Sequence, residues 1–324
     1  MKILKNDKNG KLLIKLLIIL VIVVLIVGSI YYLLRFKFLG IKHEALNEAN
    51  LGITTDIYNS ITTDMTEAEF QSIRNVVLFG TDSRDPDNFY AGRSDTIIIA
   101  SINTKSKSIK LISIPRDTYV NIEGYGMDKI NHAYAFGKEE LSIHTINSNF
   151  GLNIDEYVTI DFSGLTNIID EVGGVTVDID DDEMEFINTE CNPKLTHSGT
   201  VTLNGAQALK HSRNRYVGND FYRAERQRNI LIALMEKISE MDTTTILSLT
   251  SDFLKQVKTN VDISEYISLG TTIIGDKNEY LQNIISIQVP STDYSEGKYI
   301  DGIYYFTTDL ERAKKDFYTY LYEK

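Results

Sequence analysis

The sequence carries a single cysteine, Cys191, among its 324 residues. No intramolecular disulfide can form, and no cysteine-based zinc cluster can be assembled. The chain must be held by its own core. The five histidines (His43, His132, His144, His197 and His211) show no metal-ligand spacing. Positive charge is in deficit, with 33 Lys and Arg against 45 Asp and Glu and a net charge of −12. That balance argues against nucleic acid as a partner, because phosphate backbones select basic surfaces. Internal repeats and low-complexity tracts are missing. So are the Gly-x-Ser-x-Gly elbow, a Walker-type loop, Gly-x-Gly-x-x-Gly and His-Glu-x-x-His, and the chemistries those motifs carry are not indicated.

What is present begins with enough apolar material for a core: 43% hydrophobic and 10% aromatic residues. Leu16 to Leu34 is an uncharged run long enough to cross a bilayer as a helix. Lys2, Lys5, Lys8, Lys11 and Lys15 precede it against Asp7 alone, and Tyr31 and Tyr32 stand near its end. This pattern predicts a signal-anchor at 16–35, a cytoplasmic tail at 1–15 and an exported body, that is, a single-pass protein of the cell membrane. A cleaved signal peptide is the competing reading, but the run is long for one and no Ala-x-Ala site follows. Residues 36–72 are mixed and polar and read as an extracellular stalk.

From residue 73 onward, short β-branched runs alternate with helical spacing. Strands are expected at 76–79, 96–102, 110–114, 157–160, 175–179, 284–289 and 302–306. Helices are expected at 139–150, 162–171, 205–215, 221–241, 243–257 and 263–274, with one more closing the chain. Ile230, Leu231, Leu234 and Ile238 form the inner stripe of the fourth. Interleaved strands and helices indicate an α/β body in three αβα layers, with no second domain. Glu139-Glu140 and Asp180 to Glu183 read as solvated loops.

The arginines are not spread evenly. Of eleven, eight fall within 84–116 and 213–228, and arginine is the side chain suited to bidentate grip on phosphate or carboxylate. Asp82 and Arg84 follow the Gly80 that ends the first strand. Arg93 and Asp95 precede the second, and Arg116-Asp117 follow the Pro115 that stops the third. Each pairing alone reads equally as a turn or a solvated salt bridge. Three strand edges carrying Asp and Arg together suggest one anion site, with Asp82 and Asp95 converging on Mg²⁺. Arg213 and Arg215 flank a helix end. Arg223, Arg226 and Gln227, spaced three and four apart, are expected to share the first turns of the next helix.

In order, the segments NVVLFGTDSR (75–84), RSDT (93–96), SIPRD (113–117), KINHAYAFG (129–137), DEVGGV (170–175), LNGAQALKHSRNR (203–215) and DFYRAERQR (220–228) resemble the LytR-CpsA-Psr family. The resemblance covers about 73–240 and implies a catalytic domain at 73–324 with a mixed central sheet. It also implies transfer of a phospho-glycopolymer, such as teichoic acid or capsular polysaccharide, from a polyprenyl-pyrophosphate carrier to peptidoglycan. By motif match, Asp82 and Asp95 correspond to Mg²⁺-associated carboxylates, and Arg84, Arg93, Arg116, Arg213, Arg215, Arg223, Arg226 and Gln227 to the pyrophosphate cradle. Asp82, Asp95, Arg116 and Arg226 are the expected catalytic set. The base remains open between Asp82 and Asp95, with Asp117 less favoured. Segments 162–171 and 229–238 are expected to line a lipid tunnel. Two departures stand out: Lys138 follows Gly137 where a second Gly is common, and Tyr222 replaces a Gly, which is expected to narrow the entrance. A diphosphate hydrolase at the same site and a membrane-bound transcriptional regulator are the alternatives. The acidic charge and the lack of a helix-turn-helix signature oppose the second.

Overall fold

The computed structural model describes residues 42–63, 65–82, 92–215 and 220–323. The expected tail and anchor lie outside the described residues, as does Arg84. Among the described residues no helix is long and apolar enough to cross a membrane. The strands are β1 (Lys42–His43), β2 (Ile73–Thr81), β3 (Ser94–Asn103), β4 (Ser108–Ser113), β5 (Tyr119–Ile122), β6 (Gly126–Lys129), β7 (Glu156–Asp161), β8 (Val175–Ile179), β9 (Gly199–Leu203), β10 (Val257–Thr259), β11 (Ile284–Gln288), β12 (Ser295–Ile300) and β13 (Ile303–Thr308). The helices are α1 (Thr55–Thr62), α2 (Glu67–Phe70), α3 (Ile130–Phe150), α4 (Phe162–Glu171), α5 (Asp181–Asn188), α6 (Gly205–Ser212), α7 (Asp220–Ser239), α8 (Thr243–Lys255), α9 (Ile263–Gly275), α10 (Lys277–Gln282) and α11 (Leu310–Tyr322).

Seven strands form a mixed sheet in the order β1-β10-β7-β2-β3-β4-β11. β2 and β7 run parallel, β2–β3–β4 are antiparallel, and β11 returns parallel to β4. Successive strand side chains point to opposite faces, so a strand apolar throughout must be covered on both. β3 shows this directly. Ile97 and Ile99 join one core with Val77, Phe79 and Ile112, covered by Ile143 and Ile146 of α3 and Phe317 and Leu321 of α11. Ile98 and Ala100 join another with Leu111 and Tyr280, against Leu231, Ile232 and Met235 of α7. A third cluster lies under the antiparallel β8–β9 pair, where Val175, Val177 and Val201 pack on Ile169, Ala208, Ile230 and Ala233. Cys191 is buried there as a free thiol. Helix α7 therefore sits between two cores, and its expected stripe divides, Leu231 turning to the sheet and Ile230 and Leu234 to the β8–β9 pair.

Several expectations need correction. Residues 42–72 are not a stalk through the described part: β1 pairs with β10, and Leu51 and Ile61 are fully buried in the main core. Glu139 is no loop residue. It is 2% exposed inside α3, accepts from the hydroxyls of Tyr134 and Thr159 (both 2.9 Å) and pairs with Lys258 Nζ at 3.2 Å. Asp180 to Glu183 open α5 with a capping box, and Glu183 is buried. Acidic residues at a helix start satisfy its free N–H groups and its dipole, which a tally of charge alone does not reveal.

Candidate active site

Three neighbouring strands deliver the first carboxylates and guanidiniums. At the end of β2, Gly80 is required by close approach: a Cβ there would lie 2.8 Å from Thr96 Cβ on β3. Pairing runs Gly80 with Thr96 and then Thr81 with Ser94, so Asp95 is the extra residue of a bulge. Such an insertion re-aims a side chain at a sheet edge. Asp82 follows β2 at the same edge, and Arg116 follows β4 after Pro115.

These groups open onto a cavity of about 610 Å³. Arg93, Arg116, Arg213, Arg215 and Arg223 line it with Asp82, Asp95, Asp161 and Gln227. The remaining wall includes Leu78, Ile98, Ile160, Phe162, Leu165, Leu209, Ile230 and Leu231. The lining changes character along two elements at once. On β3 it passes from Asp95 and Thr96 to Ile98, and on α7 from Arg223 and Gln227 to Ile230 and Leu231. One end of the cleft is thus cationic and the other apolar. Both expected lipid-lining segments contribute.

The arginines are held by carboxylates. Arg116 Nη1 donates to Asp95 Oδ1 at 2.6 Å, and its Nε lies 3.6 Å from Asp117 Oδ2 and 3.5 Å from Asp220 Oδ2. Arg223 pairs with Asp220 at 3.1 Å and donates to the Asp95 carbonyl at 3.3 Å. Arg215 Nε stands 3.6 Å from Asp220 Oδ1, and Arg213 lies over the Phe162 ring at 4.5 Å. Burial alone would lower the Arg116 pKa, but Asp220, Asp95 and Asp117 outweigh it and hold it above its ordinary value. Burial pushes Arg223 down to about 10 despite Asp220, with Arg116 and Arg215 adding repulsion. It stays protonated at neutral pH. The buried Nε atoms of Arg116 and Arg223 have no hydrogen-bond acceptor among the described residues.

Arg226 does not reach this cleft. Its guanidinium is buried against Glu183, and Nη1 donates to the Asn214 carbonyl at 3.2 Å. The reason is helical geometry: from Arg223, four residues on lies about 40° to one side and three residues on about 60° to the other. Gln227 stays on the cleft wall while Arg226 turns to α5. Arg228 turns elsewhere again, donating to Ser286 Oγ at 2.8 Å and Ser113 Oγ at 2.7 Å. Tyr222 is 55% exposed and is not among the described residues lining the cavity.

Asp220 was not singled out from the sequence, yet it faces three arginines. Its place in the same motif as Arg223 was the available signal. Asp161 also lines the cleft, but its carboxylate caps α4, accepting from Gly164 N and Ser163 Oγ at 2.7 Å each. Asp117 is held by Lys129 Nζ at 2.9 Å. Among the described residues no group of three or more His, Cys, Asp or Glu is arranged to hold a metal. Two carboxylates suffice for Mg²⁺ when substrate phosphates complete its shell. Asp82 Oδ1 suits that role, since it is buried without a donor among the described residues.

The arrangement agrees with what this chain is similar to. It is 36% identical over 250 residues to the polyisoprenyl-teichoic acid–peptidoglycan teichoic acid transferase TagU of Oceanobacillus iheyensis, covering 74% of this chain and 73% of that one. It is 31% identical over 250 residues to the corresponding transferase TagT of Bacillus subtilis, covering 75% of each. A solved structure of the LytR-CPS2A-psr family protein YwtF (TagT) with bound octaprenyl pyrophosphate lipid superposes with a TM-score of 0.64 at 25% identity, over 87% of this chain and all of that one. The LytR_cpsA_psr family model matches residues 43–320, nearly the whole described body, and this chain belongs to the LytR_cpsA_psr family.

Proposed function

We propose that this protein is a phosphotransferase that moves a phospho-glycopolymer, of the teichoic acid class, from a polyprenyl-pyrophosphate carrier to peptidoglycan. One observation carries the reading: a single cleft joins five arginines to an apolar interior. A diphosphate esterified to a long isoprenoid has the same division. The transferase names of the relatives and the octaprenyl pyrophosphate held by YwtF (TagT) support the same donor and acceptor classes.

The acceptor's hydroxyl oxygen attacks the glycan-side phosphorus. A new O–P bond forms, the bond to the bridging oxygen breaks, and polyprenyl phosphate leaves with the electron pair. Such transfer needs positioning and charge stabilisation more than covalent help. Arg116 and Arg223 present buried Nε groups that phosphate oxygens would satisfy, and Arg93, Arg213 and Arg215 add charge around the leaving group. The apolar wall orients the donor and keeps water from its lipid side. Asp82 and Asp95 would hold Mg²⁺, which would neutralise diphosphate oxygens when bound. The hydroxyl proton passes to a carboxylate of the site: Asp82 or Asp95, since Asp161, the third on the cleft wall, is committed to capping α4. Residues 16–35 would tether the body to the outer side of the cell membrane, where both substrates reside. The lysines of the preceding tail support that orientation.

The test is transfer from a purified polyprenyl-pyrophosphate-linked glycan to peptidoglycan by the detergent-extracted chain. Arg116→Ala should lower the rate by about a thousandfold or more, as loss of a phosphate-clamping arginine does. Wild-type rates in that variant would remove the arginine cradle from the mechanism.

A further inference from the structure

The β12–β13 hairpin belongs to the part of the chain that carried no recognisable motif. Its register opposes Tyr299 to Tyr304 and Gly297 to Phe306, so these four residues share one face. The inner end of that face is fixed to the active site. Phe306 is buried, its ring meets Phe221 of α7 edge-on at 5.2 Å, and its N–H donates to the Asp117 carbonyl at 2.8 Å. Moving outward, Tyr304 is 39% and Tyr299 77% exposed, with ring centroids 5.7 Å apart and planes at 69°. Tyr304 lies directly against Gly297, where a Cβ would come within 2.7 Å of its ring. One side of the ring is thereby braced. Asp117 and Asp220 are near enough to raise the Tyr304 phenol pKa, after burial.

We propose that this face is the docking surface for the acceptor, a peptidoglycan glycan strand, with Tyr299 and Tyr304 stacking on its sugar rings. The inference rests on the transferase reading above. A pyranose presents an apolar C–H face with hydroxyls at its rim, which matches the apolar face and polar edge of tyrosine. Two exposed rings in series offer such a strand adjacent contacts, and through Phe306 the face adjoins Asp117, which with Asp220 stands against Arg116 of the cleft wall. Charge selects between the two glycans of the reaction. The face itself carries no charged side chain, with Glu296 and Lys298 paired to each other on the opposite one, and Asp117 and Asp220 stand near Tyr304, so it offers a phosphate-rich donor polymer no cation and suits a strand without phosphates.

The experiment uses the full chain in detergent with peptide-free, teichoic acid-free glycan strands. Binding is measured beside the acceptor KM and the donor KM. In Tyr299→Ala/Tyr304→Ala, glycan affinity should fall and acceptor KM rise by roughly tenfold, with donor KM unchanged. Tyr299→Phe/Tyr304→Phe should retain binding, and Tyr58→Ala, an exposed tyrosine of α1, should change nothing. Tyr299→Ala alone, at a site too exposed to unfold the protein, should give a partial loss. Unchanged glycan binding in the double alanine variant overturns the proposal, as does a loss confined to the donor. If the wild type binds strands through these tyrosines but transfers nothing to them, the transferase reading fails and the docking surface stands.

Discussion

Arginines that look alike in the sequence hold different posts in the structure. Arg116 and Arg223 serve the cleft, whereas Arg226 is sealed against Glu183, both side chains being about 10% exposed or less. Removing one member of a buried pair leaves the other charge uncompensated, so Arg226→Ala should destabilise the fold by about 3–5 kcal/mol. Chemical denaturation checks this, and Arg116→Ala should show a much smaller loss because its neighbours remain in contact with solvent. His211 shares that interior. It is 2% exposed, and burial pushes its pKa down to about 4, with Glu183 and Asp180 opposing and Arg226 assisting. Its folded pKa lies below its unfolded value, so the unfolded chain binds the extra proton first. The stability this neutral histidine permits is complete above about pH 6.5 and is lost as pH falls toward about 4, by up to about 3 kcal/mol. Melting temperatures across that window should decline more steeply in the wild type than in His211→Gln.

At the level of elements, periodicity found most of the sheet and the long helices. The expected 162–171 and 175–179 coincide with α4 and β8. What it missed has physical causes. β5, β6 and β9 are four or five residues each and gain their order from antiparallel pairing, β5 with β6 across a hairpin and β9 with β8 across a connection that holds α5, which no local pattern announces. Residues 42–72 look polar because few of their side chains are buried, yet Leu51 and Ile61 suffice to pin the segment to the core. The site was legible because its residues cluster in motifs. Which way each side chain turned was not, since Arg226 and Gln227 are adjacent in sequence and part by one helical step. α3 contains a break at Gly137 and Lys138, and Lys138 adopts φ 56° and ψ −148°. That region is almost exclusive to glycine, and lysine holds it at a cost of about 1–3 kcal/mol. Its contact over the Tyr134 ring, at 5.7 Å, returns about 0.5–1 kcal/mol. Lys138→Gly should therefore stabilise the protein by about 1 kcal/mol, read as a higher denaturation midpoint without a change in slope.

At the scale of the molecule, the cleft shares its walls with a core. Leu78, Ile98 and Leu231 line the cavity, and all three belong to the cluster on that face of the sheet. An isoprenoid entering there completes packing that the chain alone leaves open, whereas the opposite face is closed by α3 and α11. Polyprenyl pyrophosphate at a hundredfold excess over its Kd should raise unfolding free energy by about 2.7 kcal/mol, and thermal shift against lipid concentration measures it. Farnesyl pyrophosphate, which fills less of the wall, should shift it less. On the proposed outer side of the membrane, among anionic polymers, the contrast between a chain of net charge −12 and an arginine-lined opening has its own consequence. Most of the surface turns such polymers away, so adhesion to bulk wall material is suppressed. The attractive field is confined to one aperture and fades within about 10 Å at moderate salt, so it grips the head group only after the lipid has already brought it to the threshold.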